Sequence, residues 1–121
     1  MLIVLTGCAK QNLQFDIENA ARIKIFSGSL GKYAEITDEE TIAHITDNIN
    51  GLSFAKNKSS KNTNGFAYSL TWYDNDNNVI DGLIIMDETR ISYDDYFYDK
   101  DEVNGSIDIE YIKGLFADLV E

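Results

Sequence analysis

Proline is absent from this sequence. No X–Pro bond interrupts a strand or helix, so the turns must be made by Gly, Asn, Asp and Ser. There is one cysteine, Cys8, and one histidine, His44. A single cysteine excludes an internal disulfide, and the pair supplies no Cys/His set for zinc. The same scarcity leaves thin material for a Ser-His-Asp or Cys-His nucleophile. No run of about 18 apolar residues occurs, so nothing as written spans a bilayer as a helix. Basic residues are scarce in one half. Residues 1–65 carry seven acids and seven bases, whereas residues 66–121 carry fourteen acids and three bases, Arg90, Lys100 and Lys113. The net charge of −11 therefore belongs to the C-terminal half. That half repels phosphate backbones, so the expectation is no nucleic-acid partner.

What is present is material for one domain. The 121 residues are 44% hydrophobic and 12% aromatic, enough to bury about 65% of the unfolded chain's surface. Residues 21–28 alternate, with Ile23 and Ile25 on one face and Arg22 and Lys24 on the other, the pattern of a half-buried strand. A turn at "SGSLG" and a return strand at 32–36 make a hairpin. Thr37 and Glu40 stand at capping-box spacing before a helix over 37–50. Ile42, Ile45, Ile49 and Leu52 form its stripe, and Asn50-Gly51 offers a left-handed stop. A short strand at 52–56 and a polar loop at 57–64 follow. In 65–74, Phe66, Tyr68, Leu70 and Trp72 share a face opposite Ala67, Ser69, Thr71 and Tyr73. Strands at 79–87, 89–93 and 96–100 come next, the last two joined about Asp94-Asp95. Asp108 caps a final helix, with Ile107 placed to staple onto Ile112. The expected order is β-β-α-β-β-β-β-β-α. The expected fold class is α+β, a twisted antiparallel sheet with two amphipathic helices on one face.

Each local motif has a plain reading beside its functional one. "GSLGK" (28–32) resembles a phosphate loop, but Phe26 and Tyr33 stand where it needs Gly and Ser/Thr, and strands flank it; it is a hairpin turn. Asp74, Asp76 and Asn78 begin like a calcium loop, yet Val79 and Ile85 replace the required Gly and Glu. They form a polar turn, with a weak cation site as the functional alternative. In 93–102, Tyr96 and Tyr98 share one strand face and Phe97 takes the other. Phe97 is expected in the core, and the two tyrosines are a candidate binding surface. Lys56, Lys58 and Lys61 form the one basic island, placed on a loop. They either solubilise it or touch an anionic envelope polymer or membrane. His44 falls about 200° from Ile42 around the helix and is expected in solvent. Twenty-one acids allow paired carboxylates across the sheet, but their abundance makes any pairing non-specific.

The stretch "LTGC" (5–8) resembles a bacterial lipobox: an apolar residue, two small residues, then cysteine. The resemblance implies a diacylglyceryl group on the Cys8 thiol and cleavage just before it. The five apolar residues upstream carry no Lys or Arg, whereas a secretory signal has a basic start and about 7–15 apolar residues. The stretch is thus expected to be the cut end of a signal. Further along, "ARIKIFSGSLGKYAEITDEETIAHITDNINGLSF", "GFAYSLTWYDNDNNVI" and "YFYDK" with "GSIDIEYIKGLF" resemble small uncharacterised lipoprotein domains of Gram-positive bacteria, over about residues 21–117. That resemblance implies a surface-anchored domain and brings no activity. The element order also resembles, loosely, a TATA-binding-protein-like half fold, a likeness of topology only.

Together these expectations divide the chain into a signal remnant (1–8), a tether (9–20) that begins to order near Phe15 or Ile17, and one α+β domain (21–121). The expected function is a lipid-anchored, extracytoplasmic, non-catalytic binding module with no cofactor. It is held to the membrane through Cys8 and contacts a protein or envelope polymer. The alternatives are a cell-envelope hydrolase using paired carboxylates, and a cytosolic protein in which residues 1–5 form an ordered edge strand.

Overall fold

The computed structural model describes residues 17, 19–61, 63, 65–100 and 105–117. They form β1 (Arg22–Ser27), β2 (Lys32–Ile36), α1 (Glu39–Asn50), β3 (Phe54–Ser59), β4 (Tyr68–Tyr73), β5 (Val79–Asp87), β6 (Arg90–Tyr93), β7 (Tyr96–Lys100) and α2 (Ile109–Ala117). All seven strands join one antiparallel sheet in the order β2-β1-β4-β5-β6-β7-β3. The fold is the α+β arrangement read from the sequence, with the same element order. β2 and β3, consecutive strands, lie on opposite edges, so α1 carries the chain across the sheet between them.

One face of the sheet holds the core. Register places Ile23, Ile25, Leu70, Trp72, Leu83, Ile85, Ile91 and Tyr98 on it, and all are buried. Onto this face α1 packs Ile42, Ile45 and Ile49, and α2 packs Ile112 and Phe116. Trp72 is completely buried, and its indole N–H donates to Thr46 Oγ1 at 3.2 Å. Tyr68 stacks on Phe116 with centroids 5.7 Å apart. Ile17, in the segment expected to tether the domain, is only 1% exposed and belongs to the core. The Ala21 amide continues the sheet by donating to the Tyr73 carbonyl.

Four local expectations are corrected. The N-cap of α1 is Asp38, not Thr37: its Oδ2 accepts the Thr41 amide at 3.0 Å and the Thr41 hydroxyl at 2.8 Å. A carboxylate is the stronger acceptor at the positive end of a helix, and it takes the site from the neighbouring hydroxyl. The stop at Gly51 is not left-handed, since its φ is −81°. Its amide donates to Asp47, and a β-carbon there would stand 3.0 Å from that same carbonyl. The segment 57–64 is not all loop, because β3 runs on to Ser59 by pairing with β7. Phe66 does not share the face of Tyr68. Regular alternation starts at Tyr68, and Phe66 instead lies 6.0 Å from Phe26 on the opposite face. Here Gly28 meets the Phe66 backbone so closely that a β-carbon would sit 2.3 Å from its carbonyl oxygen. Phe97 is buried as expected, on the face opposite the helices, and the β7 ring that enters the helix-covered core is Tyr98.

Candidate functional site: the open face of the sheet

The helices cover one face, and strand alternation sends every second side chain to the other. Register builds a row across that open face: Tyr33, Phe26, Ser69, Ile84, Ser92 and Phe97, one residue from each of six adjacent strands. At about 4.8 Å per strand the row is about 24 Å long. Beside it runs a second row, Glu35, Lys24, Thr71 and Gly82, and then Arg22 opposite Tyr73. Small side chains, Ser69, Thr71, Gly82 and Ser92, surround Ile84 in the middle of the face.

At the β2 end the floor rises into aromatic rings. Phe26 and Tyr33 lie 4.6 Å apart, centroid to centroid, at 53°. Tyr33 is 60% exposed although it lies in a strand. The Lys24 ammonium lies 4.5 Å over the Tyr33 ring, and the Arg22 guanidinium 4.0 Å over the Tyr73 ring, both within cation–π range. Lys24, Phe26, Tyr33 and Tyr73 enclose a hollow of about 290 Å³ with Phe66, Ser69 and Thr71. A second hollow, of about 320 Å³, reaches from Ser69 and Thr71 past Gly82 and Ser92 to Asp94 and Asp95. Ser69 and Thr71 line both, so the two hollows adjoin across β4, and they are called the groove below.

The charges along this face are mostly paired. Arg22 binds Glu35 at 3.0 Å and Asn77 Oδ1 at 2.7 Å. Arg90 grips Asp99 with Nε and Nη2, at 2.6 and 3.2 Å, and lies 4.6 Å from the centre of the Phe97 ring. The hydrogen bond from Arg90, helped by Asn57, holds the Asp99 carboxyl below the usual carboxylate range. Among the described residues no ion pair engages Lys24, so one ammonium stays available at the aromatic end of the groove.

The residues singled out from the sequence lie elsewhere. Cys8 is outside the described residues, as are residues 1–5 and Phe15. Asp74 turns its carboxylate onto its own hairpin, where Oδ1 accepts the amides of Asp76 and Asn78 at 2.8 and 2.9 Å. Asn77 completes that turn with φ of 67°. These bonds lower the Asp74 pKa, with the Asn78 amide first. Among the described residues no three metal-binding side chains come together. Tyr98 is 5% exposed and offers no surface; Tyr96 is 38% exposed, on the helix-bearing side, with the Lys56 ammonium 4.0 Å over its ring. Lys56 and Lys58 belong to β3 rather than to a loop, and Lys61 lies in a turn two residues past its end. β3 is an edge strand with a bulge, and lysines on such an edge block pairing with another chain. That role explains the basic island without a ligand.

His44 is partly exposed, as expected, but engaged. Its Nε2 meets Asp108 Oδ2 at 3.0 Å, and its ring stacks on Tyr111 at 3.6 Å. Beside it a cleft of about 620 Å³ lies between the end of α1, the β5–β6 turn and the start of α2. It carries Asp87, Glu88, Asp108 and Glu110. Asp87 accepts from Thr89, and Asp108 caps α2 through the Tyr111 amide. Among the described residues the carboxylates with a resolved shift, Asp38, Asp74 and Asp99, all move downward, the direction of a stabilised carboxylate rather than of a general acid.

The groove was missed in the sequence although its signal is there. The off-core positions of β1 hold Arg22, Lys24 and Phe26, and those of β4 hold Ser69, Thr71 and Tyr73. What hid them was the strand order, which brings β1 beside β4 with 40 residues of chain between them. No family model matches the chain, and no curated protein or solved structure matches it either.

Proposed function

We propose that this protein is a lipid-anchored extracytoplasmic binding module, tethered through Cys8, whose binding surface is the open face of the sheet. The observation that carries the binding role is that face. Five strands, β2, β1, β4, β5 and β6, line two adjoining hollows with rings at one end and hydroxyls on the floor, and no described helix covers them. A ring such as Tyr33 held 60% exposed in a strand loses hydration on contact with a partner and little side-chain entropy. The anchoring half of the reading rests on the Leu5-Thr6-Gly7-Cys8 lipobox. The acidic balance favours a partner other than nucleic acid.

The test separates the two faces. Sedimentation of the protein with washed Gram-positive cell walls is measured for the parent chain, for Tyr33→Ala with Phe66→Ala, and for Tyr96→Ala. Binding lost only in the open-face variant is the expected result. Binding lost only with Tyr96→Ala returns the site to the helix-bearing side. Metabolic labelling with a radioactive fatty acid checks the anchor: label is expected on the parent chain expressed behind a complete lipoprotein signal, and none on Cys8→Ser.

A further inference from the structure

Resting on the open-face reading, we infer that the groove binds an acidic glycan, a chain of sugar rings bearing carboxylate groups. Three features of the groove point to this chemistry. The first is its floor. Ser69 and Thr71 of β4 and Ser92 of β6 place hydroxyls on either side of Gly82 and Ile84 of β5, with Ser92 Oγ already 2.7 Å from Ser60 Oγ, and such groups both donate and accept. Sugar hydroxyls need that two-way capacity. The apolar core of a protein–protein interface does not supply it.

The second is the pairing of this floor with flat rings. The rings of Phe26 and Tyr33 stand at the groove's end, and Tyr73 lines its side. An aromatic face is electron-rich, and the C–H bonds on one side of a pyranose present a weakly positive, apolar surface of matching size. The spacing between strands, about 4.8 Å, is also close to the length of one sugar ring. Successive rings of a chain lying across the strands thus meet successive strands.

The third is charge. The protein carries −11 overall, but on this face Arg22 is matched by Glu35 and Arg90 by Asp99. Lys24 remains as an ammonium above an exposed ring. Repulsion from the distant acids is screened beyond about 8 Å at physiological ionic strength, so the near field at the aromatic end is that of Lys24. It selects a carboxylate on the sugar next to Tyr33. At the other end of the groove Asp94 and Asp95 accept hydroxyl protons and reject a second acidic group. The ligand therefore carries sparse rather than dense negative charge.

The experiment titrates the folded protein with oligogalacturonate in which half the carboxyls are methyl-esterified. Dextran and poly-glutamate serve as the neutral-sugar and non-sugar controls. Amide chemical shifts locate binding, and calorimetry gives affinity. The expected result is binding of the oligogalacturonate with shifts at Ser69, Thr71 and Gly82. Tyr33→Ala and Lys24→Gln are each expected to weaken it at least tenfold, with melting temperatures near the parent's because both side chains lie outside the core. Poly-glutamate bound as tightly as the glycan overturns the proposal, because charge alone then explains it. Dextran bound as tightly, with Lys24→Gln silent, overturns the acidic requirement. If no glycan binds while cell-wall sedimentation still depends on Tyr33, the ligand class is wrong and the open-face reading stands. If sedimentation is also indifferent to Tyr33, both fall. Self-association abolished by Tyr33→Ala, with no glycan bound, assigns the face to a second copy and likewise overturns the proposal.

Discussion

At the scale of single residues, two contacts decide more than their neighbours do. The first is the hydrogen bond from Trp72 to Thr46. A completely buried indole must place its N–H, and Thr46 Oγ1 at 3.2 Å is its acceptor. Thr46→Val keeps the shape and removes the acceptor, leaving a buried donor unsatisfied at a cost of about 1–3 kcal/mol. Urea denaturation is expected to show a lower midpoint with unchanged slope. The second is Arg90 with Asp99. The Asp99 pKa is depressed in the folded state, mainly by the Arg90 hydrogen bond. Its stabilisation is therefore fully present above the unfolded carboxyl pKa, about 3.9, and is lost as pH falls through the lower folded value. In Asp99→Asn the melting temperature is expected to fall at neutral pH and to converge on the parent's in strong acid. A gap that persists unchanged into strong acid would mean that packing, not charge, is what the substitution removes. Asp38 and Asp74 shift in the same direction, so the variant retains part of the parent's acid sensitivity.

At the scale of elements, local signals in the sequence located the helices and most strands, and failed where tertiary partners chose among local options. The stripe of α1 was legible because Ile42, Ile45 and Ile49 repeat at helical spacing. Its cap was ambiguous because Thr37 and Asp38 are both good caps one residue apart, and the carboxylate took the Thr41 amide. β3 was cut short for a different reason. "AKNKS" lacks an apolar alternation, and its strand character comes from hydrogen bonds to β7, which no local pattern encodes. The tie between α1 and α2 was also hidden. Asn48 donates to the Ser106 carbonyl at 3.0 Å and accepts the Asp108 amide at 2.9 Å. One turn earlier, His44 meets the side chain of that same Asp108. Two polar residues spaced i, i+4 thus clasp the start of α2, across about 60 residues of sequence that give no hint of it. Asn48→Ala removes both of its bonds to α2, with an expected cost of about 1–2 kcal/mol. Amide exchange is expected to speed up in α2 more than in the central strands β4 and β5; uniform acceleration throughout would show that α2 does not open separately.

At the scale of the whole molecule, the fold is asymmetric: helices and core on one side, a groove of rings and hydroxyls on the other. That asymmetry sets where the chain enters. Ile17 is buried in the helix-side core, and Ala20 and Ala21 lead from it into β1. From Ile17 onward the described chain therefore enters β1 from the helix-bearing layer rather than across the groove. The position of Ile17 also divides the N-terminal segment energetically. Ile17→Ala deletes a side chain that is 1% exposed, and such truncations cost about 2–5 kcal/mol. For a domain of this size that is a fall in melting temperature of about 10 °C or more. A chain beginning at Ala9 keeps Ile17 and loses only the lipobox and the residues before it; it is expected to melt within a few degrees of the full sequence. Differential scanning calorimetry on the two variants and the parent decides between them. A large drop for the chain beginning at Ala9 would make residues 1–8 part of the folded body, and Cys8 would then no longer be free to act as an anchor.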